Sequence, residues 1–284
     1  MKLYNLVDTA FVALQYLLPH HLLSRAVGRV AACRWPWVRM PLIRAFVHIF
    51  GVDLNEAREP DPRAYASFND FFTRPLRADT RPLAPDGILC PADGTLSQAG
   101  RIRGSDLFQA KGHHYSLLEL LGDDPELASR FINGCFATIY LAPRDYHRVH
   151  MPLDGRLRCW SYVPGRLFSV NNTTTRRVPR LFARNERVVA VFDTAAGPMA
   201  VILVGAMIVA GIETVFAGRI TPLPRRVQHH RPDAAPDLRA GDELGRFLLG
   251  STVIVLLPED TTRWHAGLQA GEPVRMGQAL GARV

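Results

Sequence analysis

The sequence predicts an α+β fold, with amphipathic helices first and a β-rich body after them, on three observations. The first fifty residues carry apolar side chains at helical spacing. Beyond about Arg81, short apolar runs alternate with Gly, Pro and Asp-Gly turns. No repeat of fixed period and no low-complexity tract interrupts either part, so solenoids and collagen-like rods are excluded.

The elements follow in order. Leu3, Leu6, Val7, Ala10, Phe11, Leu14, Leu17 and Leu18 recur at i, i+3, i+4, i+7 spacing, and Pro19 closes this first helix. In a second, Leu22, Leu23, Ala26, Val27, Val30 and Ala31 share a face that excludes Arg25 and Arg29. A third begins near Pro36 with Trp37, Val38, Leu42, Ile43, Phe46, Val47 and Phe50, interleaved with Arg39 and Arg44, and Gly51 suits its C-cap. Arginines on one side and aromatics on the other fit a helix lying in a membrane interface; packing of the apolar faces on the body is the alternative. A polar linker, 55–63, leads to a short aromatic helix at 67–72 with Ser67 as N-cap. Strands are expected at 135–141, 188–192, 199–204, 207–212 and 252–257, with turns at Asp86-Gly87, Asp93-Gly94, Asp154-Gly155 and Ala240-Gly241. The division is therefore 1–60, membrane-associating helices, and 61–284, the β-rich domain.

Composition narrows the classes. The 284 residues carry a net charge of +8, and only Lys2 and Lys111 are lysines, so arginine supplies nearly all of the excess. That charge attracts polyanions: nucleic acid, anionic lipid or phosphorylated substrates. A spanning helix needs about 20 apolar residues. The longest uncharged apolar run, 199–212, is shorter and contains Gly205 and Gly211. Asp8 interrupts the first apolar stretch and no small-x-small site follows, so no signal peptide is expected. Cys33, Cys90, Cys135 and Cys159 form no C-x-x-C pair and no disulfide framework, which suits a reduced, cytoplasmic compartment.

Three groups can carry chemistry. Pro91-Ala92-Asp93-Gly94 reads either as a hairpin turn or as a placed carboxylate. In 143–152, P-R-D-Y-H-R-V-H-M-P, His147 and His150 stand beside Arg144, Arg148 and Asp145. Histidine titrates near neutrality and suits general acid/base work. A zinc site needs three or four ligands; His113, His114, His229 and His230 are the reserve for one. In Leu249-Gly250-Ser251-Thr252 a glycine and serine lead into an apolar strand. There the Ser251 hydroxyl can attack the preceding carbonyl, turning the amide into an ester. β-Elimination then cuts the chain and leaves a ketone, given a base and a group to orient it.

These residues resemble a known family. P-A-D-G at 91–94, Y-H-R-V-H-M-P at 146–152, F-S-V-N at 168–171, F-A-R-N-E-R at 182–187 and L-G-S-T at 249–252 occur in the order of the bacterial pyruvoyl-dependent phosphatidylserine decarboxylases. The likeness runs from S-F-N-D-F-F-T-R-P-L at 67–76 to G-Q-A-L-G at 277–281. The stretch 210–214, A-G-I-E-T, varies slightly on the family pattern without an expected loss of function.

The resemblance implies a proenzyme that cuts itself between Gly250 and Ser251 into chains 1–250 and 251–284, with a covalent pyruvoyl group formed from Ser251. It assigns His150 as base, Asp93 as its orienting carboxylate and Ser251 as nucleophile. It also assigns His147 to the decarboxylation half, where the substrate amine forms a Schiff base and CO2 leaves. Phe168, Ser169, Val170 and Asn171 would line the substrate pocket. Arg184 and Arg187 would meet the lipid phosphate or else brace strands. Phosphatidylethanolamine is the implied product. No resident metal is expected, nor any nucleic acid partner. The implied setting is the cytoplasmic face of a bacterial membrane, peripherally attached to anionic lipid, as a homodimer. Two other readings compete: a metal-dependent hydrolase using His147, His150 and Asp93, and a catalytically silent lipid-surface binder.

Overall fold

The computed structural model describes residues 2–207, 211–220 and 226–284. The helical N-terminus is as the spacing predicts: α1 (Lys2–Leu17), α2 (His20–Ala31) and α3 (Pro36–Phe50). Gly51 ends α3 at φ +64°, donating its N–H to Val47 O; a side chain would strain that left-handed conformation. α4 (Phe68–Phe72) is capped by Ser67, whose Oγ accepts from Asp70 N at 3.2 Å.

The body is organised by one antiparallel sheet. Among the described residues its strands run, in space, Gln228–His230, Gly155–Val163, Arg187–Thr194, Gly197–Val204, Ser251–Leu257, Cys135–Leu141, Gly94–Arg101 and Pro273–Val274. Asp237–Leu238 also pairs with Gly155–Val163. The strand Ser251–Leu257 lies at the centre, between Cys135–Leu141 and Gly197–Val204, and every residue of it is buried. That burial explains its unbroken apolar run, since a strand covered on both faces has no polar side to alternate with. Val253, Val255 and Leu257 enter one core; Ile254 and Leu256 enter the other. A smaller sheet orders Gly218–Ile220, Ile212–Thr214, Glu243–Phe247 and Arg148–His150.

A third cluster ties helices to body. Ile43 of α3 and Phe68, Phe71 and Phe72 of α4 pack together, with Phe46 and Leu249 against them. Leu249 stands next to Gly250, so α3 and α4 hold the chain where it enters the central strand.

Two strand expectations need correction. Asp93-Gly94 is no hairpin turn: Gly94 opens a strand so close to its neighbour that a Cβ would meet Tyr140 O at 2.2 Å. In the 207–212 run, Met207 lies in a turn and the strand is Ile212–Thr214, with Gly211 at φ +145° before it. Residues 208–210, including Ala210, lie outside the described residues.

Candidate active site

One end of the central sheet gathers the motifs. Ser251 is opposite Leu141 and Thr252 is opposite Val204. Thr95 is opposite Tyr140, and Arg187 is opposite Val204. Asp93, the 142–147 segment, Ser251 and the start of the 187–194 strand therefore emerge at the same edge.

The Ser251 hydroxyl is buried there with no hydrogen-bond partner. Leaving such a group unsatisfied costs about 1–3 kcal/mol, a penalty that ordinary core design avoids. Gly250 has no atom within 4 Å of the place a side chain would fill. Phe247 N donates to His147 O at 3.0 Å, so the 248–250 segment departs from beside that histidine.

The two histidines differ. His147 Nδ1 donates to Asp145 O at 2.7 Å, which leaves Nε2 as a buried acceptor without a partner. Its ring packs on Phe72 at 4.0 Å between centroids, and burial pushes its pKa down to about 3. His150 Nδ1 donates to Gly241 O at 2.7 Å, and the Tyr146 hydroxyl then donates to Nε2 at 3.0 Å. Burial also lowers the His150 pKa, opposed by the Gly241 carbonyl and by the charges of Glu243 and Asp93.

Asp93 does not hydrogen-bond to His150. Its carboxylate accepts from Arg81 Nε at 2.9 and 3.0 Å and from Met276 N at 2.9 Å, and it reaches the histidine only through charge. The two are brought near by backbone: His150 N donates to Pro91 O at 2.7 Å. Arg81 Nη2 also donates to Asp93 Oδ2, at 2.5 Å, and is shared with Glu56, while Nη1 donates to Glu56 and Thr80 O. A cleft of about 250 Å³ opens beside Asp93 and is also lined by Arg74, Arg81, Asp145 and Tyr146.

The expected substrate-lining residues sit differently. Phe168 is fully buried, its ring 4.9 Å from Tyr16 and 5.2 Å from His20. Ser169 N donates to Gln15 Oε1, Val170 enters the core, and Asn171 Oδ1 caps the Asn172–Arg177 helix through Thr174 N. None of the four borders the cleft beside Asp93; packing and capping occupy them. Arg187 braces the structure: its guanidinium is buried and donates to the carbonyls of Leu120, Ala183, Asn185 and Glu119. Arg184 lies over the rings of Tyr16 and Phe168, at 5.3 and 5.1 Å.

Tyr146, Arg81 and Arg74 are the site residues to which sequence reasoning gives no role. Tyr146 and Arg74 stand inside quoted motifs, whereas Arg81 lies in an irregular loop that carries no pattern. Among the described residues, no cluster of three or more His, Cys, Asp or Glu side chains gathers to hold a metal ion. The cysteines are all free.

The chain is similar to known proteins over most of its length. A family model for phosphatidylserine decarboxylase matches residues 68–282, and a second, described as PSD, matches residues 10–51. A phosphatidylserine decarboxylase proenzyme of Azotobacter vinelandii is 58% identical over 280 residues, covering 96% of this chain and 98% of the relative. A proenzyme of the same description from Pseudomonas aeruginosa is 58% identical, with 96% of each chain covered. One from Alcanivorax borkumensis is 56% identical, covering 98% of this chain and 97% of the relative. The chain belongs to the phosphatidylserine decarboxylase family.

Proposed function

We propose that the chain is a self-processing phosphatidylserine decarboxylase proenzyme, cut between Gly250 and Ser251 into 1–250 and 251–284. The observation that carries this is the buried, partnerless Ser251 hydroxyl beside an uncrowded Gly250, at the sheet end where the 142–147 segment departs opposite it. In the first step Ser251 Oγ gives its proton to His150 and bonds to the Gly250 carbonyl carbon. The C–N bond breaks as the nitrogen regains a proton, leaving an ester. Loss of the Ser251 Cα proton and departure of the Gly250 carboxylate from Cβ cut the chain. Water then displaces the nitrogen as ammonia, and a pyruvoyl group remains at residue 251.

In this assignment Tyr146 must release His150 Nε2, and Asp93 acts on the imidazolium through its charge. A second reading has one specific observation in its favour. His147 Nε2 is already free and unprotonated, so His147 is also equipped to be the base of the cut.

A pyruvoyl group supplies a carbonyl that takes up the electrons released as CO2 leaves. The chain's own part is proton handling. The substrate ammonium must lose a proton before its amine can react. We assign His147, whose Nε2 has no partner, to proton handling at the carbon left by CO2, as the family resemblance implies.

The helices fit delivery of a lipid. The inward face of α2 is His20, Ser24, Gly28 and Ala31, while Leu22 and Val30 are exposed beside Arg25 and Arg29. Trp35, Trp37 and Ile49 are also exposed. No helix among the described residues is long and apolar enough to cross a membrane. We therefore read residues 1–60 as docking on an anionic bilayer from the cytoplasmic side, with 61–284 as the catalytic body. The homodimer implied by the resemblance is checked by a light-scattering mass of two protomers.

Denaturing mass spectrometry tests the cut. Two chains are expected, the smaller beginning with a blocked, pyruvoyl-bearing residue 251, and the protein should release CO2 from phosphatidylserine vesicles. His150→Ala should stay uncut. His147→Ala should cut yet release no CO2. An uncut His147→Ala beside a cut His150→Ala would transfer the role of base to His147.

A further inference from the structure

Arg74, in the F-F-T-R stretch, is one residue whose chemistry remains unspent. It is 3% exposed, lines the cleft beside Asp93, and has Nε and Nη1 without a hydrogen-bond partner. Nη2 alone is engaged, donating to Arg144 O at 3.3 Å. A buried guanidinium with free donors is half of an ion pair, and desolvation makes the missing half valuable.

The carboxylates around the cleft do not supply it. Asp93 and Glu56 are held by Arg81. Asp145 accepts from Ala142 N, and Asp53 accepts from Asn55 N. Arg74 feels Asp93, Asp145 and Glu56 as charges without bonding to them.

Its position is fixed against the reacting motif. Phe72 packs on His147, Thr73 O accepts from Arg148 Nε, and Arg74 donates to Arg144 O. The 72–74 segment thus runs alongside 144–148; Arg74 borders the cleft, and its guanidinium carbon lies over the Phe71 ring at 5.4 Å.

We propose that Arg74 is the phosphodiester-binding residue of this site, its free Nε and Nη1 receiving the headgroup phosphate. The inference rests on the decarboxylase reading and adds to it. A phosphatidylserine headgroup carries two anions, and energetics separates them. A guanidinium on the carboxylate would stabilise a charge that must vanish as CO2 leaves, favouring ground state over transition state. The phosphodiester keeps its charge throughout, so binding it costs nothing in the chemical step. A planar guanidinium also matches phosphate oxygens in pairs.

The test uses full-length protein and a soluble short-chain phosphatidylserine, with glycerophosphoethanolamine, ethanolamine and inorganic phosphate as inhibitors. Wild type should be inhibited by glycerophosphoethanolamine far better than by ethanolamine, with inorganic phosphate also competing. In Arg74→Gln, loss of a charge-assisted pair should raise KM and weaken both phosphate-bearing inhibitors about tenfold or more. Arg74→Lys should recover part of that loss. Mass spectrometry of each variant separates this effect from failed processing. If Arg74→Gln proves unfolded, the Arg74→Lys inhibition constants decide alone. Unchanged KM and inhibition in a cut variant overturn the role of Arg74 and leave the decarboxylase intact. Absence of CO2 release from wild type would instead sink the decarboxylase reading.

Discussion

His147 and His150 are both buried and both held neutral, and the price is pH sensitivity. An unfolded histidine titrates near 6.5, whereas the folded His147 takes a proton only near pH 3. Between those values the unfolded chain binds protons that the folded chain refuses, so falling pH favours unfolding. Their stabilising contribution is therefore complete above about pH 6.5 and lost progressively below it. Urea denaturation of the uncut Ser251→Ala chain should show a midpoint that drops between pH 7 and pH 5. Replacing His147 with Gln should flatten that dependence; an unchanged slope would place the acid sensitivity elsewhere. Ser251, His150 and Asp93 could be picked from sequence because they sit in contiguous motifs. Arg81 could not, since it meets Asp93 through a loop whose path only the fold defines.

α2 turns the usual rule for a surface helix around. Its buried stripe, His20, Ser24, Gly28 and Ala31, is small or polar, and Leu22 and Val30 face outward with Arg25 and Arg29. Replacing Leu22 and Val30 with Ser should leave urea stability within about 0.5 kcal/mol, as expected of surface changes. The same change should lower binding to phosphatidylglycerol vesicles in a flotation assay, as should Trp35→Ser with Trp37→Ser. Equal losses of stability and binding would show that these side chains pack on the body instead. Periodicity was enough to place α1, α2 and α3, and Ser67 to cap α4. It could not tell which face turns outward, because the contacts that select it, such as His20 Nδ1 accepting from Leu167 N, join residues far apart in the chain. The same limit applies to Phe168–Asn171, whose motif signals its presence in the family but not its burial under α1.

At the scale of the whole molecule, the proposed cut would fall where the chain enters the middle of the largest sheet among the described residues. The strand Ser251–Leu257 is paired along its length with Cys135–Leu141 and from Thr252 to Leu256 with Gly197–Val204, and Leu280 of the same C-terminal piece is buried in the core. The two pieces should therefore co-elute on size exclusion in native buffer and separate only in denaturant; separation without denaturant would contradict this pairing. The α+β class was readable from the change of texture along the sequence, and the strand's centrality from its unbroken apolar run. Its neighbours were not readable, since 135–141 and 197–204 pair with it across long stretches of intervening chain. That placement makes assembly a one-time event. While intact, the polypeptide finds its central strand by an intramolecular search; once cut, the denatured halves must meet by diffusion, in competition with aggregation. A chain cut as proposed would be switched on by its own maturation, yet after thermal damage it would have to be replaced by new synthesis.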